Sequence, residues 1–283
     1  MAAPLWSRLR ARVGAAAVRD RCFLLLLVCA CPAAPQDLRT VASPDGQIVF
    51  RAFVTPPGPG QIDRLAYQVL FKGKVLVETS FLGLEIRDQT LLGEKVGLTA
   101  SATLSRAHYN SLTAEYLQNG SLGRRITLEI RAYDDGVAFR YLIPKSVPLD
   151  EILIENEDTE FHFAADGAAF PWLLSGFDAK PDQQSHMALS RIPSDAVIAL
   201  PFVFEQPGAG WIAIAEAAAE GYPRLFLNHP QRTTLISSLP PLAQDSHLAL
   251  DTATPLTSSW RVLLIGASRA SVTSPRILDE LSR

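Results

Sequence analysis

Carboxylates close together and histidines on apolar strands are the residues of this chain with chemical potential. Two carboxyl groups can cleave a glycosidic bond if they stand about 5–5.5 Å apart for retention, or about 6.5–9.5 Å apart for inversion. Asp134-Asp135 is adjacent in sequence, and adjacent turn residues diverge, so the pair is expected to form a turn. Glu155, Glu157, Asp158 and Glu160 form an acidic run, expected to be a solvated loop rather than a metal site. His108, His162, His186, His229 and His247 are the five histidines. A His beside a Glu can move a proton at a sugar's anomeric centre, but here each His is expected to be structural. His108 is read as bonding a Tyr109-Asn110 turn, His162 as facing away from Phe161 and Phe163, and His247 as starting a strand. Aromatic rings stack on the apolar faces of pyranoses. Trp172 and Phe177, in an aperiodic connection from 166 to 196, are the candidates for that role, whereas Trp211 and Trp260 read as core.

The elements that must position these residues are strands. Ile126, Leu128, Ile130 and Ala132 alternate with Thr127, Glu129, Arg131 and Tyr133, the period of a strand with one buried face. Asp134-Asp135-Gly136 breaks the run, with Gly136 expected at positive φ. Alternation then resumes at Val137, Phe139, Tyr141 and Ile143 until Pro144, so Ile126–Ile143 is predicted to be a β-hairpin. About fourteen such strands, from Gln47–Val54 to Trp260–Ile265, are predicted at spacings of roughly 8–15 residues with turn signals between them. A helical period is visible only in the last ten residues. The expected fold is all-β, one antiparallel sandwich or barrel.

The first 35 residues differ from the rest. Five arginines precede an apolar run, Cys22–Cys31, which at ten residues is shorter than the roughly 20 needed to span a bilayer. Ala30, Ala33 and Ala34 follow. The segment reads as a signal peptide, with an N-terminal membrane anchor as the alternative and lipidation at Cys31 as a variant. Periplasmic or secreted localisation is the expectation. All three cysteines lie in this leader, so residues 36–283 hold no disulfide or thiol chemistry. Those residues contain 21 basic and 28 acidic side chains, a net charge of −7, which argues against nucleic acid as a partner. With 48% hydrophobic and 19% charged residues, the chain can bury a full core.

The string Tyr133-Asp-Asp-Gly-Val-Ala-Phe-Arg-Tyr141 resembles a signature of the N-terminal domain of glycoside hydrolase family 97, the α-glucosidase and α-galactosidase family. Ser43-Pro-Asp-Gly46, Tyr67–Lys74, Leu82-Gly-Leu84, His108-Tyr-Asn110, Thr159-Glu-Phe161, Trp211–Ala217 with Tyr222, and Trp260-Arg261 follow in the family's order. The resemblance implies an antiparallel β-super-sandwich like that of galactose mutarotase. In the family a catalytic (β/α)₈ barrel follows the sandwich and carries the catalytic carboxylates, so none of them maps onto these 283 residues. The resemblance also implies that Glu216 gives one ligand to a calcium ion shared with that barrel; read by itself, Glu216 is a strand-end carboxylate.

The expected function is therefore that of a carbohydrate-associated domain that supports a catalytic barrel, which a separate chain could supply. A stand-alone carbohydrate-binding module is the first alternative and a mutarotase-like aldose epimerase the second.

Overall fold

The computed structural model describes residues 36–120, 123–145, 150–273 and 276–282. The leader, with its signal-peptide and Cys31 readings, lies outside them. Among the described residues there are twenty strands and one α-helix, Arg276–Leu281. None of their helices is long and apolar enough to cross a membrane.

The predicted hairpin forms as Arg125–Tyr133 and Gly136–Ile143, with Ile130 opposite Phe139 and Leu128 opposite Tyr141. Its alternation places Ile126, Leu128, Ile130, Val137, Phe139 and Tyr141 on the inner face, all at most 1% exposed. The hairpin sits inside a thirteen-stranded antiparallel sheet, between Trp260–Gly266 on one side and Tyr109–Gln118 on the other. A second layer covers the inner face. It consists of a four-stranded sheet (Gln36–Ala42, Ile48–Thr55, Arg64–Phe71, Lys74–Phe81) and a three-stranded one (Leu84–Ile86, Glu151–Glu157, Leu250–Ala253). Phe50 and Tyr67 stack at 5.2 Å, and Phe139 of the hairpin closes on both, at 5.7 and 5.1 Å. Truncating such a ring to Ala costs about 3–5 kcal/mol. The Ser43–Gly46 turn docks on the hairpin turn, where the Asp45 N–H donates to Asp134 Oδ1 at 2.9 Å.

Several expectations are corrected. Asp134-Asp135 does form the hairpin turn, but Gly136 is not at positive φ. Glycine is required there because a Cβ would lie 2.5 Å from the Leu263 carbonyl oxygen. Tyr109-Asn110 begins a strand, and the turn is at 106–108. His247 lies in a turn before the strand Leu250–Ala253. Five strands went unread, two of them, Met187–Ala188 and Leu256–Thr257, only two residues long. Gln36–Ala42 and Val96–Ser105 are largely exposed, so they carry no apolar alternation. Ala168–Leu174 contains Pro171, which cannot donate to a ladder; the register shifts between Phe170 and Trp172 so that Pro171 falls in an irregularity.

Two further apolar clusters lie outside the main core. Trp260 is 1% exposed in one of them, with the guanidinium carbons of Arg140 and Arg131 at 4.3 and 4.7 Å from its ring. Trp211 is half-buried there and stacks on Phe170 at 5.8 Å.

Candidate functional site

The acidic run is not a solvated loop. Glu157 ends the strand Glu151–Glu157 with its side chain fully buried, facing Arg261 of the strand Trp260–Gly266, which is also fully buried. Arg261 Nε donates to Glu157 Oε1 at 2.7 Å, and Nη2 donates to Oε2. Arg261 Nη1 reaches Glu216 Oε1 at 3.1 Å, because Glu216 and Arg261 are register partners on adjacent strands. Ser259 donates to the same Glu216 oxygen at 2.7 Å and accepts from Arg261. Tyr222 donates to Glu157 Oε2 at 3.0 Å and Thr159 to Oε1 at 2.7 Å. Since the Thr159 hydroxyl proton is used there, Tyr141 is the donor in its 2.6 Å bond to Thr159.

Burial opposes the charge on Arg261, yet Glu157, Tyr222 and Glu216 together raise its pKa above the ordinary value. Burial, then the Glu157 charge, pushes the Tyr141 and Tyr222 hydroxyls well up, so both stay neutral donors. Ions removed from water need both partner charge and full hydrogen bonding to be tolerated, and this cluster supplies both.

The Glu216 carboxylate, the one calcium ligand expected from the sandwich, is already engaged by donors of this chain. The Leu225 N–H is 3.1 Å from both carboxylate oxygens, and Arg261 and Ser259 occupy Oε1. Ca²⁺ takes six to eight oxygens, so an ion shared with a barrel would draw most of its ligands from outside these residues and would compete with Arg261 for Oε1. Among the described residues, no three His, Cys, Asp or Glu side chains come together to hold a metal.

Trp172 and Phe177 do come together, in a different place. Both line a cleft of about 290 Å³ with Pro181, Leu200, Arg224 and Phe226. Phe177 meets Phe226 edge-on at 5.2 Å, and the Arg224 guanidinium lies 5.2 Å over the same Phe226 ring. Phe177 also walls a second, polar cleft of about 400 Å³ with Glu85, Glu155, Asn156, Ser238 and His247. Asn156 Oδ1 accepts from the Leu239 N–H at 3.1 Å, and Glu155 Oε1 accepts from Arg87 at 3.2 Å. Burial, then the charges of Asp158 and Glu155, raises the Glu85 carboxyl pKa. Sequence reasoning missed these polar residues because they come from four separate segments; the aromatic residues alone gave a signal.

The histidines are scattered. His108 lines a third groove, of about 590 Å³, with Asp134, Asp135, Arg276 and Glu280. His162 is half-buried and His247 exposed, while His186 stacks on Phe170 at 4.7 Å. His229 is buried, with both ring nitrogens 2.8 Å from the carbonyl oxygens of Ile192 and Arg232.

Some of the family-like strings share one location. Tyr141, Thr159, Glu216, Tyr222 and Arg261 come from four of them and meet around Glu157. Residues 41–283 match the family model described as Glycosyl-hydrolase 97 N-terminal. The chain belongs to that family. It is 26% identical over 243 residues to a retaining alpha-galactosidase of Bacteroides thetaiotaomicron, covering 77% of this chain and 34% of the relative. A family 97 glycoside hydrolase of Pseudoalteromonas sp. strain K8, solved with acarbose, superposes with a TM-score of 0.72 at 22% identity; 87% of this chain and 38% of that one are covered. A beta-arabinopyranosidase superposes at 0.68 and 20% identity, covering 82% and 40%. The antiparallel sandwich is thus the fold of family 97 N-terminal regions. The chain spans about a third of the length of the Bacteroides thetaiotaomicron relative.

Proposed function

We propose that this chain is the sandwich module of a family 97-type glycoside hydrolase and supports a catalytic (β/α)₈ barrel, carried on the same polypeptide or on a second one. The observation that carries the reading is the match over residues 41–283 to the family's N-terminal region. The sandwich holds its shape through the Glu157–Arg261–Glu216 cluster, and the clefts meeting at Phe177 contact the carbohydrate. Glu216 acts within that cluster. Calcium shared with a barrel would require Arg261 to give up this carboxylate; a calcium titration in which the melting temperature rises through Glu216 would favour the shared ion instead. Residues 1–35 act as an export signal, placing the mature chain in the periplasm or outside the cell; N-terminal sequencing of the exported protein tests this.

The deciding experiment assays the purified chain on α-galactosides and α-glucosides, alone and mixed with a family 97 barrel. Hydrolysis is expected only in the mixture. Turnover by this chain alone would overturn the reading.

The stand-alone carbohydrate-binding module is the second reading, and the polar groups facing the cleft beside Phe177 favour it. Saturable sugar binding without any gain in the barrel's activity would select it. An epimerase is the weaker alternative: His247 lines the polar cleft beside Phe177 and His162 is not among that cleft's lining residues.

A further inference from the structure

Val96–Ser105 is the last strand of the thirteen-stranded sheet and, among the described residues, pairs only with Tyr109–Gln118. Its ten residues contain no charge and no proline. From Thr99 to Ser105 every residue is exposed, so neither face is covered. The Arg106 N–H donates to the Tyr109 carbonyl at 2.8 Å, which sets the phase of the ladder. Bonded pairs in an antiparallel ladder recur every two residues, so 104, 102 and 100 bond inward. The N–H and C=O groups of Ser101, Thr103 and Ser105 therefore point away from the sheet.

Proteins normally guard such an edge with charge, proline, a bulge or a covering segment. Here the register shift at Leu98/Ala100 and the strand Gln36–Ala42 guard only its start. Asp37 Oδ2 accepts from the Leu98 N–H at 3.0 Å, and Arg39 Nε donates to Ser101 Oγ at 2.9 Å. Residues 102–105 lie beyond both contacts. The exposed large apolar side chains among the described residues are Leu38 at 44%, Ile62 at 46% and Leu104 at 49%. Leu104 lies on this strand, and Leu38 sits between the two residues that cap its start.

We propose that this edge pairs antiparallel with the same strand of a second copy, about a two-fold axis. Charge placement selects that occupant. Arg106 follows the end of the strand and Asp37 caps its start, so antiparallel self-pairing brings Arg106 of each copy towards Asp37 of the other. The uncharged residues between them meet without like-charge repulsion. Arg39 is held by Ser101 Oγ and the Leu38 carbonyl, beside the pairing line. An interface of one strand pair and two apolar side chains is small, and so belongs to the weak, reversible class.

Analytical ultracentrifugation of the purified chain over a concentration series tests this, with circular dichroism to verify folding. The wild type is expected to dimerise reversibly. Thr103→Lys places two cations near the axis at an exposed position and should give a monomer. Thr103→Pro removes an outward N–H while sparing its own ladder, and should do the same. Arg106→Asp should weaken the dimer by about tenfold or more, and Asp37→Lys combined with Arg106→Asp should restore it. A wild type that stays monomeric at about 100 μM overturns the proposal, as does a Thr103→Lys variant that dimerises like wild type. Failure of the charge swap to restore association also overturns it, because the antiparallel pairing would then be wrong.

Discussion

The cluster around Arg261 and the clefts around Phe177 use the same kinds of residue to opposite ends. In the cluster, all three guanidinium nitrogens are engaged, and both carboxylates are held by more than one donor. In the clefts, Glu85, Glu155 and His247 line an opening beside an aromatic wall. A buried polar group with all its partners fixes one arrangement of the chain. Polar groups presented to a concave surface next to aromatic rings are the ordinary means of recognising a polar ligand. The contrast separates residues that hold the fold from residues proposed here to meet a sugar, although both sets contain Glu.

The largest break in that contrast is Arg261→Met. It leaves Glu157 buried and unpaired, and should destabilise the protein by about 3–5 kcal/mol in urea unfolding. A loss below about 1 kcal/mol would mean that water reaches the cluster. Tyr222→Phe removes one donor from Glu157 and should cost about 1–3 kcal/mol by the same measurement, with sugar binding unchanged. Trp172→Ala should do the reverse: sugar affinity falls by about tenfold, or 1.4 kcal/mol, in calorimetric titration, and the urea midpoint moves little because the ring is only half-buried.

The smallest effects are in pH dependence, and they have opposite signs at two carboxyls. Burial raises the Glu160 pKa, with Asp158 adding to it against the Phe81 N–H. A raised carboxyl favours folding below its unfolded pKa of 4.5, and that contribution is lost as pH rises through the folded value. Glu160→Gln should therefore raise the melting temperature at pH 7 and leave it near wild type at pH 4. At Asp166, burial works upwards but is outweighed by bonds from the Ser190 hydroxyl and N–H and from the Gly167 N–H, so the pKa falls. Its contribution is present above the unfolded value of 3.8 and lost as pH drops through the folded one. Asp166→Asn should lower the melting temperature at pH 7 and have less effect near pH 3.

Much of the fold was legible because its central strands alternate cleanly; Ile126–Ile143 shows both faces in its spacing. Strands with no buried stripe, such as Val96–Ser105, carry no such signal, and neither does Ala168–Leu174 with its proline. The site was legible only where one residue type implies a use. Trp172 and Phe177 suggested a sugar platform and do share a cleft. Glu157 looked like part of a solvated acidic run, since the arginine that neutralises it is 104 residues away. Glu216, read by itself, looked like a strand-end carboxylate, and its bond to Arg261 was hidden for the same reason. A cross-strand partner is a property of register, which a single strand's pattern does not contain.

The division between holding and binding residues is tested most directly by calorimetric titration of a neutral α-linked trisaccharide into wild type, Phe177→Ala and Tyr222→Phe. The account predicts saturable binding to wild type and Tyr222→Phe, and a loss of about tenfold or more for Phe177→Ala. Equal affinity in wild type and Phe177→Ala, or no saturation by wild type at about 10 mM sugar, would contradict it.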